Sequence, residues 1–299
     1  MTEIVAVTGA TGYVGRFVVA ALQQRGMTVR ALARPGSDLR GFDVPPEWIT
    51  GDLNSADALA ALVDGADAVV HLAYEHVPGR YRGGEGDDLP GWLAANLNGS
   101  LRLLLAAQVG RVVFLSSRAV FSRTLPGREL DEAHPVCPDT HYGAYKAAVE
   151  AFLGSFAAQG MKTCAVRATG VYGLSWPVQR SKWWGLVQAV LRGDEISSSG
   201  GGTEVHGADV ARVIGEVLTR ADLPQSDIIH LSDLYVTQRE VVRLARHFAG
   251  KPGPLPPAPS TPPQNMLVCR RLREMGLTLG GVPLLEATVA ELVNIASKV

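Results

Sequence analysis

The chain has 299 residues, of which 46% are hydrophobic and 19% charged, enough apolar material for one large domain or two smaller ones. Such a composition excludes a disordered chain. A formal net charge of −1 offers no electrostatic case for a nucleic-acid or anionic-membrane partner. Taken in order, the first element is an apolar strand beginning at Ile4 and running into Thr8-Gly9-Ala10-Thr11-Gly12-Tyr13-Val14-Gly15. Val14, Phe17, Val18, Ala21 and Leu22 then mark one face of a helix that ends by Gly26. Strand, glycine turn and helix in that order make a phosphate site. Gly9 permits the turn, Gly12 lets backbone N–H groups approach a pyrophosphate, and Gly15 lets the helix pack closely on the strand. The helix start then faces the phosphates with its positive dipole end.

A second strand over 29–33 ends at Ala33-Arg34-Pro35, where an adenosine ribose is normally met. An acidic residue there accepts from a ribose 2′-OH, whereas an arginine accommodates a 2′-phosphate. Arg34, with Ser37 and Arg40 close behind, therefore predicts NADP in preference to NAD, although Arg40 also reads as a solvated loop residue. Gly51-Asp52-Leu53 follows a short third strand and precedes a helix over 56–62, so Asp52 either caps that helix or accepts from an adenine amino group. A buried strand over 67–73 delivers Leu72 and Ala73 beside the cofactor. The Gly-, Arg- and Asp-rich loop over 75–90 reads equally as an active-site flap or as disorder. A helix over 92–107 then carries Asn96 on a polar face, turned either to the site or to solvent.

The chemistry is expected next. A strand over 111–117 ends in Ser116 and Ser117, at the strand end where open α/β sheets hold ligands. Tyr142 and Lys146, four apart, share one face of a helix that opens at about residue 142. A phenol ordinarily ionises near pH ~10. A neighbouring ammonium and a cationic nicotinamide both favour the phenolate, which makes Tyr142 a general acid/base candidate. Ser117 would hydrogen-bond the reacting oxygen. Tyr145 is the weaker candidate, because no lysine stands four residues after it.

In the second half, Trp183 and Trp184 either stack on a ligand ring or, as the safer reading, pack in a core. A helix starts after His206 and carries Asp209, read as a structural tie back to the first domain. A strand covers 228–232, and Thr237 with Glu240 forms a capping box. Residues 252–263 form a proline-rich linker, and helical pieces complete the chain. Cys137, Cys164 and Cys269 are odd in number and far apart, which points to reduced thiols in a cytoplasmic compartment. The histidines show no metal-ligand spacing, so no metal is expected. A strand signal already at residue 4 argues against a cleaved leader, and Arg102, Gln108 and Arg111 interrupt the most apolar region before it reaches membrane-spanning length.

At these residues the chain resembles the extended short-chain dehydrogenase/reductase superfamily, in its branch of NAD(P)-dependent epimerases and dehydratases. The matching segments are the glycine turn, Gly51-Asp52-Leu53, His71-Leu72-Ala73, Asn96-Leu97-Asn98-Gly99-Ser100, Ser116-Ser117-Arg118-Ala119-Val120-Phe121, Tyr142-Gly143-Ala144-Tyr145-Lys146 and Val171-Tyr172-Gly173, in the family's order and spacing. The resemblance implies an α/β fold: a Rossmann-type doubly wound parallel sheet formed by 1–173 and about 206–233, with a smaller C-terminal α+β substrate-binding lid formed by about 174–205 and 234–299. It assigns catalysis to Ser117, Tyr142 and Lys146, with Lys146 also on the nicotinamide ribose. It assigns cofactor contacts to Gly9, Thr11, Gly12, Tyr13, Val14, Arg34, Ser37, Asp52, Leu53, Leu72, Ala73, Asn96 and Val171 besides Tyr142 and Lys146.

The activity so implied is hydride transfer between the nicotinamide of NADP and a hydroxyl or carbonyl carbon of a sugar or sugar-like small molecule. Reduction of a non-nucleotide carbonyl compound and non-catalytic sensing of NADP are the alternatives; a homodimer is compatible with either. Two departures bear on the substrate. Relatives acting on nucleotide-diphosphate sugars usually place an asparagine before Val-Tyr-Gly and an arginine before the histidine of the Asp-Val-Ala segment. This chain has Gly170 and Gly202 there, with Arg180, Lys182, Arg270 and Arg271 as the nearest substitutes.

Overall fold

A computed structural model describes residues 3–77, 79–80, 83–107, 109–260, 263 and 266–299. Gln108, parts of the 75–90 loop (Pro78, Tyr81, Arg82) and Thr261 and Pro262 of the proline-rich linker lie outside the described residues. The first strand β1 (Ile4–Thr8) leads into α1 (Tyr13–Gln24), β2 (Thr28–Ala33), β3 (Glu47–Thr50), α2 (Ala56–Val63) and β4 (Ala68–His71). The helix expected over 92–107 starts earlier and is not uniform. Its parts are α3 (Leu89–Leu93), one wide π-helical turn at Ala94–Asn98, and α4 (Gly99–Ala106). β5 (Arg111–Ser117), α5 (His141–Ala158) and β6 (Lys162–Ala168) follow.

Six of these strands, joined by β9 (Ser226–Leu231), make a seven-stranded sheet in the order β3-β2-β1-β4-β5-β6-β9. All its pairings are parallel. The strand order reverses between β1 and β4, which opens a crevice at their carboxyl ends. Register places Thr8 opposite His71, His71 opposite Phe114 and Ser117 opposite Ala168, so the functional strand ends finish at one edge. Both faces are covered, as a parallel sheet requires. Val5 and Val7 point into a core shared with Val18 and Leu22 of α1 and Val210 and Ile214 of α7 (Gly207–Thr219). Ala6 and Val69 point the other way, onto Leu59, Leu103 and Val149.

A second, smaller body is built from β7 (Gly170–Tyr172), α6 (Trp184–Arg192), β8 (Gly201–His206), β10 (Leu234–Thr237), α8 (Gln238–Ala249) and α10 (Gly281–Ala296). Its sheet runs β10-β8-β7, with β10 antiparallel to β8 and β7 parallel to it. Trp184, Val187, Val241, Leu244, Val289 and Leu292 form its core. The trailing segment 234–299 is divided, because Leu272 and Met275, on and just after α9 (Arg270–Glu274), pack into the large sheet's core while α10 packs in the small one. Asp209 accepts from the backbone N–H of Gly280 at 2.9 Å and Asp233 from that of Gly281 at 2.8 Å. The tie expected of Asp209 thus runs from α7 to the start of α10. Thr237 caps α8 through Glu240 N–H, but the Glu240 carboxylate turns to Arg243, so only half of the capping box forms. Among the described residues no helix is long and apolar enough to cross a membrane.

Candidate active site

The glycine turn is built by contact. Gly9 has φ +74°, and a Cβ there would stand 2.6 Å from Ala73 N at the end of β4. A Cβ on Gly15 would stand 2.1 Å from the Gly9 carbonyl oxygen, so only glycine lets α1 lie this close to β1. Gly12 donates to that same carbonyl at 3.0 Å and begins α1 without a side-chain cap. An uncapped helix start at the mouth of a parallel sheet suits an anionic phosphate. The turn opens onto a cavity of about 960 Å³ between the two bodies. Gly9, Thr11, Gly12, Tyr13, Val14, Arg34, Ser37, Asp52, Leu53, Leu72, Ala73, Asn96, Ser117, Tyr142, Lys146 and Val171 all stand on its wall.

At the inner end, Thr140 caps α5 by accepting from Gly143 N–H at 3.1 Å. A Cβ on Gly143 would fall 2.2 Å from the Ala119 carbonyl oxygen; the missing side chain lets α5 start hard against the segment after β5, carrying Tyr142 to the wall that holds Ser117. Ser117 Oγ accepts from Ala119 N–H at 3.1 Å, which fixes its rotamer. Ser116 is buried and donates to Glu150, which also pairs with Arg167 at 2.7 Å.

Lys146 is buried, donates from Nζ to the Leu115 carbonyl at 2.7 Å, and lies 4.4 Å from the Phe114 ring centre and 5.8 Å from that of Tyr142. Burial lowers its ammonium from 10.5 to about 7, against the raising influence of Glu150. Tyr145 is fully enclosed with its hydroxyl on Ser100 at 3.3 Å, and burial raises its phenol. It is a core residue. Tyr74, which the sequence analysis does not single out, stands on the cavity wall with its ring 5.0 Å from that of Tyr142 and stacked on Tyr145 at 5.9 Å. The only signal for it is its place immediately after Leu72 and Ala73.

Behind this end runs a buried polar chain. Ser100 Oγ donates to the Asn96 carbonyl at 2.6 Å, so it accepts from His71 Nε2 at 2.8 Å. His71 Nδ1 therefore accepts from the Thr8 hydroxyl at 2.7 Å, and Thr8 in turn accepts from Ala73 N–H at 3.3 Å. This assigns the His71 tautomer. Burial, assisted by Lys146, lowers His71 to about 3, so it is neutral here. Asn96 is 1% exposed, which removes the solvated-face reading. Its side chain is spent on the backbone of Glu75 at 2.8 and 3.0 Å and of Trp92 at 3.0 Å; it holds in place the loop that carries Tyr74.

At the outer end, Arg34 pairs with Glu75 at 3.2 Å, both side chains more than half exposed. Arg40 pairs with Asp38 at 2.8 Å and is 81% exposed, off the cavity wall. Asp52 accepts from Asn54 N–H at 2.8 Å, and it is Ser55 that caps α2, so the capping role proposed for Asp52 falls away. Trp183 packs its ring 5.1 Å from that of Tyr172 and Trp184 is buried, which leaves both in the small body's core. Arg270 and Arg271 are engaged by Glu129, Asp131, Asp227 and Glu274 and do not reach the cavity; Arg180 and Lys182 do.

Residues 5–231 match the model of the NAD dependent epimerase/dehydratase family. A 3 beta-hydroxysteroid dehydrogenase/Delta 5→4-isomerase of Mycobacterium tuberculosis is 32% identical over 205 residues, covering 63% of this chain and 52% of that protein. This chain spans about half the length of the curated relatives it matches. Among solved structures, UDP-glucose 4-epimerase of Thermotoga maritima with UDP-glucose superposes with a TM-score of 0.80 at 20% identity over 99% of both chains. UDP-glucose 4-epimerase of Thermus thermophilus in complex with NAD does so with a TM-score of 0.77 at 24% identity, again over 99% of both.

Proposed function

Because this chain belongs to the NAD dependent epimerase/dehydratase family of extended short-chain dehydrogenase/reductase enzymes, we propose that it binds NADP in the cavity and interconverts a hydroxyl and a carbonyl group on a sugar or sugar-like substrate. What supports the fit of the cofactor is the tight turn that Gly9 and Gly15 permit, which brings the uncapped start of α1 onto the cavity wall. The uncapped amides at the start of α1 would receive the pyrophosphate. Arg34 and Ser37 would take the adenosine 2′-phosphate, and Asp52 the adenine amino group. The nicotinamide supplies or removes the hydride. Tyr142 passes the proton to or from the substrate oxygen, and Ser117 Oγ donates to that oxygen as negative charge develops on it. Lys146 favours a negative phenolic oxygen on Tyr142. Its ammonium, now bonded to the Leu115 carbonyl, would hold the nicotinamide ribose.

One observation carries this reading: residues from the ends of strands in both halves of the large sheet, with Ser117 and Tyr142 among them, line a single cavity. Tyr142→Phe tests it. Turnover, followed by nicotinamide absorbance with candidate sugars and carbonyl compounds, should fall by about 10² or more, while NADPH affinity changes little. Normal turnover in that variant overturns the assignment. Cofactor that survives desalting of the wild-type protein favours epimerisation, which must retain its reduced nicotinamide; cofactor lost on the column favours a reductase.

A further inference from the structure

We infer that Glu204 is a specificity-determining residue that closes the substrate end of the cavity to nucleoside diphosphates and fits it for an uncharged, hydroxyl-bearing substrate. This rests on the cofactor-binding reading above. Glu204 lies in β8, opposite Gly170 of β7 in parallel register. Its carboxylate occupies the space beside two glycines. A Cβ built on Gly170 would fall 2.5 Å from Oε2 and 2.9 Å from Oε1, and one on Gly202 would fall 3.2 Å from Oε1. Gly170 cannot carry a larger side chain while the carboxylate stays there, and one at Gly202 would press on it. The wall that could have held two donors toward an anion holds one acceptor group instead.

The charge pattern points the same way. Lys182 Nζ donates to both oxygens of Glu204, at 2.6 Å to Oε1, so its charge is already matched. Glu204 is the buried partner, 7% exposed against 34% for Lys182. Burial raises the Glu204 carboxyl while Lys182 lowers it. A diphosphate offers only negative acceptors, and it gains no hydrogen bond from the Glu204 carboxylate, which it meets as like charge. A hydroxyl donates to that carboxylate instead. The same wall adds Thr203 and Tyr235, which pair across β8 and β10 and bring neutral hydrogen-bonding groups. Arg180 also stands on the cavity wall, and its charge acts on Arg16, which in turn bonds the backbone of Asp38 and Arg40.

The test is calorimetric titration of UDP into protein saturated with NADP, for the wild type, Glu204→Gln and Lys182→Gln, with NADPH fluorescence and melting temperature measured on each. The wild type should show no UDP heat through the millimolar range. Glu204→Gln, which removes the negative charge and frees Lys182, should bind UDP at least about tenfold more tightly. Lys182→Gln should stay silent. Micromolar UDP binding by the wild type overturns the inference whether or not the variants fold; so does a folded Glu204→Gln as silent as the wild type, or UDP binding gained by Lys182→Gln. Failure of the wild type to bind NADPH overturns the cofactor reading beneath it, whereas UDP binding with NADPH intact removes only the role given to Glu204.

Discussion

Lys146 is buried among aromatic rings with a backbone carbonyl partner, so its charged form carries a desolvation cost. Below about pH 7 folded and unfolded chains are both protonated there, and the folded one carries the desolvation cost. Between about 7 and the ordinary 10.5 only the unfolded chain holds the proton, so this group's contribution to stability improves as pH rises through that window. In the cofactor-free protein, Lys146→Met should therefore gain melting temperature relative to wild type most at pH 7 and below. The difference should shrink steadily toward pH ~10, and a flat difference across that range would show that Lys146 is not buried as a cation. Arg34 is a weaker case: an exposed pair with Glu75 contributes little by itself, so a 2′-phosphate can displace it. Arg34→Ala should weaken NADPH by about tenfold and NADH hardly at all, as read by fluorescence titration; equal losses would remove the preference for NADP. Ser117, Tyr142, Lys146 and Arg34, singled out because each proposed chemistry demands a residue type at a fixed offset, all stand on the cavity wall. Tyr74 and Glu204 were not singled out, because nothing in the spacing of a loop tyrosine or a strand glutamate says which cavity it meets.

At the scale of elements, the glycine turn shows why local sequence sufficed. Its demands are steric and short-range: a positive φ at Gly9, and contact of Gly15 with the turn immediately before it. Gly15→Ala must push α1 off β1, since the new Cβ would sit 2.7 Å from the Ala10 Cα. A loss of about 1–3 kcal/mol is expected in urea unfolding, together with a clear fall in NADPH affinity; unchanged values in both would show that α1 can retreat without cost. Most strands of the large sheet were similarly evident from apolar runs; β6 (Lys162–Ala168) was not singled out. The wide turn at Ala94–Asn98 was not evident either, because the apolar periodicity of residues 92–107 is that of an ordinary helix. It sits where Asn96 reaches back to Glu75, and only the fold supplies that partner.

Across the whole molecule, the cavity exists because two bodies meet over the sheet's carboxyl edge, and Tyr13 spans the junction. Its hydroxyl donates to the Gly173 carbonyl at 2.7 Å and accepts from Lys182 N–H at 3.1 Å, tying the helix start of the phosphate turn to the chain that leads into the small body. Tyr13→Phe should cost about 1–3 kcal/mol of stability and speed amide hydrogen exchange over residues 173–182 more than in the large sheet; unaltered exchange there would mean the junction is held without it. The amino-acid sequence by itself made the Rossmann-type sheet and the glycine turn legible, since each depends on periodicity or glycine placement within a few residues, and it set Tyr142 and Lys146 on one helix face. Only the tertiary structure decided which residues of the small body line the cavity. The Glu204 carboxylate lies beside Gly170 through pairing of strands more than thirty residues apart in the chain, and such a long-range contact leaves no local pattern to read.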